Sequence, residues 1–310
     1  MNHINKLFLI FAVGIALCAS SCSDGTETLT PGDPAVNYFE VDPSDKSLDG
    51  NLRRDFYQNT GVYLLFNDVL ATYTDPLGIE RVEKVDFGWG IDSDDSLLRW
   101  SFDELSDEEK QTVCPLISKY LIPYINVKNG NFKPYSVMLV KNLYHGSVEY
   151  GLKKQDYISC IRCFGIDVSE WCEADNEYAY TLGRDLLATL IKGKLSTNTP
   201  ELAPFFDISE ECYDAKYVSN YFEDWADNPD ETRIYALGFL TYYPDSWGDI
   251  DYDTFPYEKT DLRLFIEAVC GENEMEFKKK WSDYPLIIQK YNIMKECIEN
   301  LGVDFNAVKQ

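Results

Sequence analysis

Apolar residues recur along this chain in two rhythms, and the change between them divides it. Leu48, Leu52 and Phe56, with Arg53 among them, describe a short amphipathic helix that Gly61 ends, and Val62-Tyr63-Leu64-Leu65-Phe66 follows as a strand. A second strand-like run covers 82–89. Ser106-Asp107-Glu108-Glu109 is a capping box opening a helix toward Ile125, with Pro115 as a break or kink inside it. The segments 135–140 and 157–164 have the β-branched and aromatic content of sheet strands. From Asn176 the period lengthens: Leu182, Leu186 and Leu190 recur every fourth residue with Leu187 and Ile191 beside them, and Gly193 lies where that helix should stop. Further helices are expected around 232–239 and 262–269, with a long last one from Pro285 to Leu301 stopped by Gly302. No internal repeat is visible, which disfavours a solenoid or propeller. Strands first and helices later predict an α+β fold, with N-terminal strands and helices followed by a helical C-terminal half.

The chain opens differently. Met1-Asn2-His3-Ile4-Asn5-Lys6 carries one positive charge, Leu7 to Leu17 is almost wholly apolar, and Ala19-Ser20-Ser21-Cys22 closes the segment. These are the three parts of a secretory signal, too short to persist as a membrane span. Small residues before Cys22 suit a lipoprotein signal peptidase, whereas Cys18 follows bulky Leu17. The expectation is a signal peptide over 1–21, lipidation of Cys22, and a membrane anchor that gains roughly 0.8 kcal/mol per buried methylene. Residues 22–45, rich in Ser, Thr, Gly, Pro and Asp, read as a flexible tether, leaving 46–310 as one domain.

With 53 acidic against 28 basic side chains the formal charge is −25, which repels phosphate backbones and excludes nucleic acid as a partner. The apolar share of 45% is enough for a large core, so the acidity is that of a folded surface and not of a disordered chain. Beyond Cys22 the cysteines are Cys114, Cys160, Cys163, Cys172, Cys212, Cys270 and Cys297, an odd set in which at least one lacks an intramolecular partner. Cys160-Ile161-Arg162-Cys163 has redox spacing but falls in a strand-like run, away from the helix start that would stabilise a thiolate, and is read as structural. A four-cysteine zinc cage is disfavoured because only one close pair exists.

Several segments, in their order and spacing, resemble the putative zinc-binding metallopeptidase lipoproteins encoded beside outer-membrane nutrient importers. They are Leu48-Asp49-Gly50-Asn51-Leu52 leading to Gly61-Val62-Tyr63, Pro134 to Val140, Asn228-Pro229-Asp230-Glu231, and the closing helix leading to Leu301-Gly302-Val303-Asp304-Phe305. The resemblance covers most of the chain and implies a zincin-like single domain. Members of that family carry HExxH on the central helix, where two imidazoles one turn apart hold zinc and the glutamate activates its water. Here the matching stretch is Asp185-Leu186-Leu187-Ala188-Thr189, which has neither imidazole nor the carboxylate base. The position of the third ligand falls on Tyr235, and the one histidine beyond the signal, His145, stands in a Gly-flanked loop. The resemblance therefore implies a degenerate member with no catalytic residue, metal ligand or cofactor.

Asp185 and Thr189, one turn apart, could hold a hard cation with Glu231, although a solvated polar helix face is the more ordinary reading. Asp249-Ile250-Asp251-Tyr252-Asp253 begins like a calcium loop but has Thr254 and Thr260 where glycine and glutamate belong. Serine or cysteine catalysis would depend on His145 alone. Aromatic clusters at 217–225 and 242–247 point to ligand contact, with Trp225 and Trp247 expected to be exposed and Tyr221 and Tyr242 beside them, on loops (224–229 and 244–256) that the resemblance would place at the cleft. The functional expectation is a non-catalytic accessory lipoprotein of the cell envelope, at the outer membrane, binding a glycan, a peptide or an importer protein through the vacated cleft. The alternatives are a hydrolase or peptidase with an atypical metal or carboxylate site, and a purely structural subunit of an import complex.

Overall fold

The computed structural model describes residues 36–75, 77–87, 98–125, 132–147, 150–225, 230, 232–244 and 250–308. Cys22 and Trp247 lie outside them, as do Glu231 and Asp249. Tyr38–Gln310 forms one compact unit. Phe39, 1% exposed, is part of its core, so the folded body begins ahead of residue 46 and takes in the last residues of the expected tether.

The glycine stop at Gly61 and the capping box at Ser106 act where they stand in the sequence. Ser47 accepts from the Gly50 N–H and starts helix α1 (Leu48–Thr60), which Gly61 closes in the left-handed conformation at φ 67°. Ser106 and Glu109 satisfy each other's backbone N–H groups at the start of α2 (Asp107–Tyr120), which accommodates Pro115 and passes at Leu121 into a single turn over Ile122–Ile125. Between α1 and α2 lie β1 (Tyr63–Leu65), a separate hairpin of β2 (Val69–Thr74) and β3 (Glu80–Lys84), and β4 (Leu98–Asp103).

The longest strand, β5 (Ser136–Ser147), organises the main sheet. Its first half pairs in parallel with β1 on one side and β8 (Phe164–Asp167) on the other. Its second half pairs antiparallel with β4 and with β6 (Gly151–Lys154), while β7 (Tyr157–Ser159) completes the sheet beyond β8. The change of neighbours occurs at Asn142, whose φ of 50° is one that asparagine adopts more readily than most residues, and its Nδ2 donates across to Asp103 at the end of β4 at 2.7 Å. Asp167, at the end of β8, accepts the next backbone N–H along β5, from Leu143, at 3.0 Å. Alternation along β5 fills two cores: Val137 and Leu139 enter the main cluster under the helices, and Met138 and Val140 enter a smaller one with Phe39, Val85, Phe87 and Cys163.

The second half is helical: α3 (Asn176–Lys192), α4 (Glu258–Gly271) and α5 (Pro285–Asn300), with short turns between them. α3 packs against α2 and α4, and α4 packs against α5. Mixed α+β architecture with the strands ahead of most helices agrees with the sequence pattern. Three local expectations are corrected. The run 157–164 is two strands joined by a turn, because Cys160 N–H bonds back to the Cys163 carbonyl at 2.9 Å. The segment 232–239 forms only a 3-10 turn at Tyr235–Leu237, ended by Gly238 at φ 89°. His145 is in β5, paired with Trp100 and Lys153, and not in a loop.

Candidate functional site

The polar positions on α3 open into a cleft. Asp175 caps the helix by accepting from the Tyr178 N–H at 2.8 Å, and the apolar stripe of Leu186, Leu187, Leu190 and Ile191 faces the core. Asp185 and Thr189 consequently fall on the rim of a cavity of about 200 Å³. The rest of its lining includes Lys154 and Asp156 at the end of β6, Asp167 at the end of β8, and Glu170 and Trp171 from the 3-10 turn Glu170–Glu173 that follows β8.

Each side chain here has a defined state. Thr189 donates its hydroxyl to the Asp185 carbonyl at 3.0 Å, so its proton is bound within the helix. Leu186, at the position where the resembling family has its glutamate, is 6% exposed and packs in the main core. Asp167 accepts from the Ser169 N–H at 2.8 Å and from the Ser169 hydroxyl, and Lys154 stands 3.9 Å from its other oxygen. Glu170 accepts from the Tyr178 hydroxyl at 2.5 Å. Asp185 is the group with chemistry to spare: partial burial holds its carboxyl above the usual carboxylate range, Lys192 and Arg184 pull it down, and Glu170 and Glu267 push it up. The cleft thus presents exposed carboxylates on Asp156, Glu170 and Asp185 around one lysine, a surface that accepts hydrogen bonds from hydroxyl, amide or ammonium groups.

Among the described residues no three His, Cys, Asp or Glu are placed to hold a metal ion. Tyr235, at the expected third-ligand position, packs instead on Trp281 and Tyr284 with ring centroids 5.0 and 5.3 Å away. In the calcium-like stretch, Asp251 caps its own turn through the Asp253 N–H at 3.0 Å and the Thr254 hydroxyl at 2.7 Å, and Asp253 accepts from Ser219. Those carboxylates serve backbone geometry.

The aromatic expectation is corrected on exposure. Trp225 is 7% and Tyr242 2% exposed, and both sit in a satellite core with Val218, Ile234, Phe239 and Phe255. Tyr242 donates its hydroxyl to the Asp230 carbonyl at 3.0 Å, and Arg233 stacks over Phe222 and Trp225 while paired with Asp224 at 2.8 Å. Tyr221, 36% exposed, lies at the edge of that cluster against Phe222 and Phe255. A dense aromatic sequence here built its own core, and no described residue of 224–229 or 244–256 lines the cleft over α3. Conversely, Lys154, Asp156, Asp167 and Glu170 carried no signal in sequence, since single polar residues at strand ends and in the turn after β8 come together only through the sheet.

The two thiols of the Cys160–Cys163 hairpin turn differ in access. Cys163 is 2% exposed and burial pushes its thiol up to about 12, as it does for Cys114, Cys212 and Cys270, and all seven described cysteines are free thiols. Alkylation of the native protein with iodoacetamide at neutral pH is therefore expected to modify half-buried Cys160 and to spare Cys163 until denaturant is added. Peptide mass mapping reads the outcome, and equal native labelling of the two would contradict it.

No family model, no curated protein and no solved structure matches this chain.

Proposed function

We propose that this protein is a non-catalytic, lipid-anchored accessory protein of an outer-membrane nutrient uptake system, with a zincin-like domain whose cleft over α3 binds a glycan or a peptide. The support for the reading is the state of three positions on one helix. Where the resembling family has two imidazoles and a glutamate, this chain has an exposed carboxylate at Asp185, a hydroxyl committed to its own helix at Thr189, and a core side chain at Leu186. A water cannot be polarised by that set, but a polyhydroxylated or amine-bearing ligand can be held by Asp185 together with Asp156 and Glu170. Cys22 is the proposed lipidation site, and importer proteins are the proposed neighbours.

Purified without added metal, the protein is expected to carry no stoichiometric zinc and to bind members of a glycan or peptide array. Binding should weaken at least tenfold in an Asp156→Asn, Asp185→Asn variant. Stoichiometric zinc, or binding that the double variant leaves unchanged, would overturn the reading. The raised carboxyl of Asp185 favours one rival, a hydrolase using carboxylates. Turnover of an arrayed ligand that Asp185→Asn abolishes would establish that rival instead.

A further inference from the structure

A second cavity lies at the far end of α3, and its chemistry is the reverse of the first. It has a volume of about 590 Å³ and is lined by Lys192, Lys259 and Arg263, by the Tyr243 ring, and by an apolar floor that includes Leu262 and Ile266. None of its lining residues is Asp or Glu. In a chain with nearly two acids for every base, a cavity whose charged lining residues are all cations is an unusual local composition. Lys192 is neutralised in part by Glu267 at 3.2 Å, whereas Lys259 and Arg263 form no ion pair among the described residues.

Placement explains how the cations converge. Lys259 and Arg263 are four residues apart on the first turns of α4, so they share one face, and Leu262 and Ile266 beside them provide the floor. Lys192 comes from the last turn of α3, which packs against α4. Tyr243 is positioned across the cavity by its edge contact with Tyr257, at a centroid distance of 4.9 Å.

We infer that this cavity binds a small organic anion, an apolar or aromatic body carrying a carboxylate. Arg263 supplies a planar fork matched to two carboxylate oxygens, Lys259 and Lys192 add positive potential, and Leu262, Ile266 and Tyr243 cover the apolar body. The volume lies in the range of sites for such ligands, about 300–1,000 Å³. A free inorganic anion would leave the apolar floor unused. Nucleic acid would require a positive surface far larger than one cavity on a chain of net charge −25.

The test is calorimetric titration of the full chain with 4-phenylbutyrate and with its uncharged amide. The acid is expected to bind at least tenfold more tightly than the amide. A Lys259→Gln, Arg263→Gln variant should lose at least tenfold for the acid while keeping its melting temperature, since both side chains are exposed. The Asp156→Asn, Asp185→Asn variant, which tests the other cleft, should bind the acid as the unaltered protein does. Equal affinity for acid and amide, absence of binding by both, or undiminished binding in the Lys259/Arg263 variant would each overturn the inference.

Discussion

Replacing Asp261 with alanine is expected to lower the unfolding free energy by roughly 3–5 kcal/mol, the cost of leaving a buried ammonium without its counter-charge. Lys290 and Asp261 are both 0% exposed and meet at 2.7 Å, and Tyr213 donates its hydroxyl to the same Asp261 oxygen at 2.6 Å. Around the ammonium stand Phe205 and Phe239, each 4.7 Å from Nζ to ring centroid, with Tyr213 and Phe265 slightly farther. Burial pushes the carboxyl up and the ammonium down, and their mutual attraction opposes both shifts. The second Asp261 oxygen has no hydrogen-bond partner, so the group is costly to bury even when paired. Lys290→Met should destabilise by a similar amount for the converse reason. The double variant Asp261→Ala, Lys290→Met should be closer to the unaltered protein than either single change, because no uncompensated charge remains. Urea unfolding of the three variants reads the cycle; single changes that each cost under about 1 kcal/mol would show that the pair is not the buried unit described.

Gly183→Ala is expected to destabilise by about 1–3 kcal/mol, although alanine favours a helix over glycine by roughly 1 kcal/mol. Gly183 lies in the middle of α3, and a Cβ there would stand 2.3 Å from the Tyr120 carbonyl oxygen at the end of α2. The obstacle is backbone, which cannot swing aside as a side-chain terminus can. A melting temperature at or above that of the unaltered protein would mean that α2 and α3 are not in such close approach.

The helices were legible where capping and periodicity agreed. Gly61 after Leu48, Leu52 and Phe56, Ser106 with Glu109, and the leucines of α3 ahead of Gly193 each combine a local hydrogen-bonding need with a buried stripe, and both act within one turn of the residues concerned. The strands were harder. The length of β5 beyond Val140 rests on antiparallel partners at β4 and β6 that no local pattern announces, and the turn at 160–163 sits inside a run of strand-like composition. Aromatic residues misled for a related reason: Trp225 and Tyr242 have the chemistry of contact residues, but stacking on Phe222, Arg233 and each other buries them. On α3, Asp185 and Thr189 could be singled out in advance because the resemblance sets them at the positions of the two imidazoles, one turn apart on one helix face. The wall opposite them could not, because Asp156 and Asp167 are brought there by strand pairing and Glu170 by the 3-10 turn that follows β8.

The change of partners at Asn142 bears on how the chain matures as it is made. Tyr63 must wait for Ser136, and Val137 for Phe164, before the parallel centre of the sheet can close. An emerging chain cut short anywhere before β8 would therefore hold β5 with one flank bare, a strand edge open to other chains. Nascent fragments ending between Ser147 and Phe164 should be the most aggregation-prone of the series, and the vulnerability ends once Asp167 can bind the Leu143 N–H.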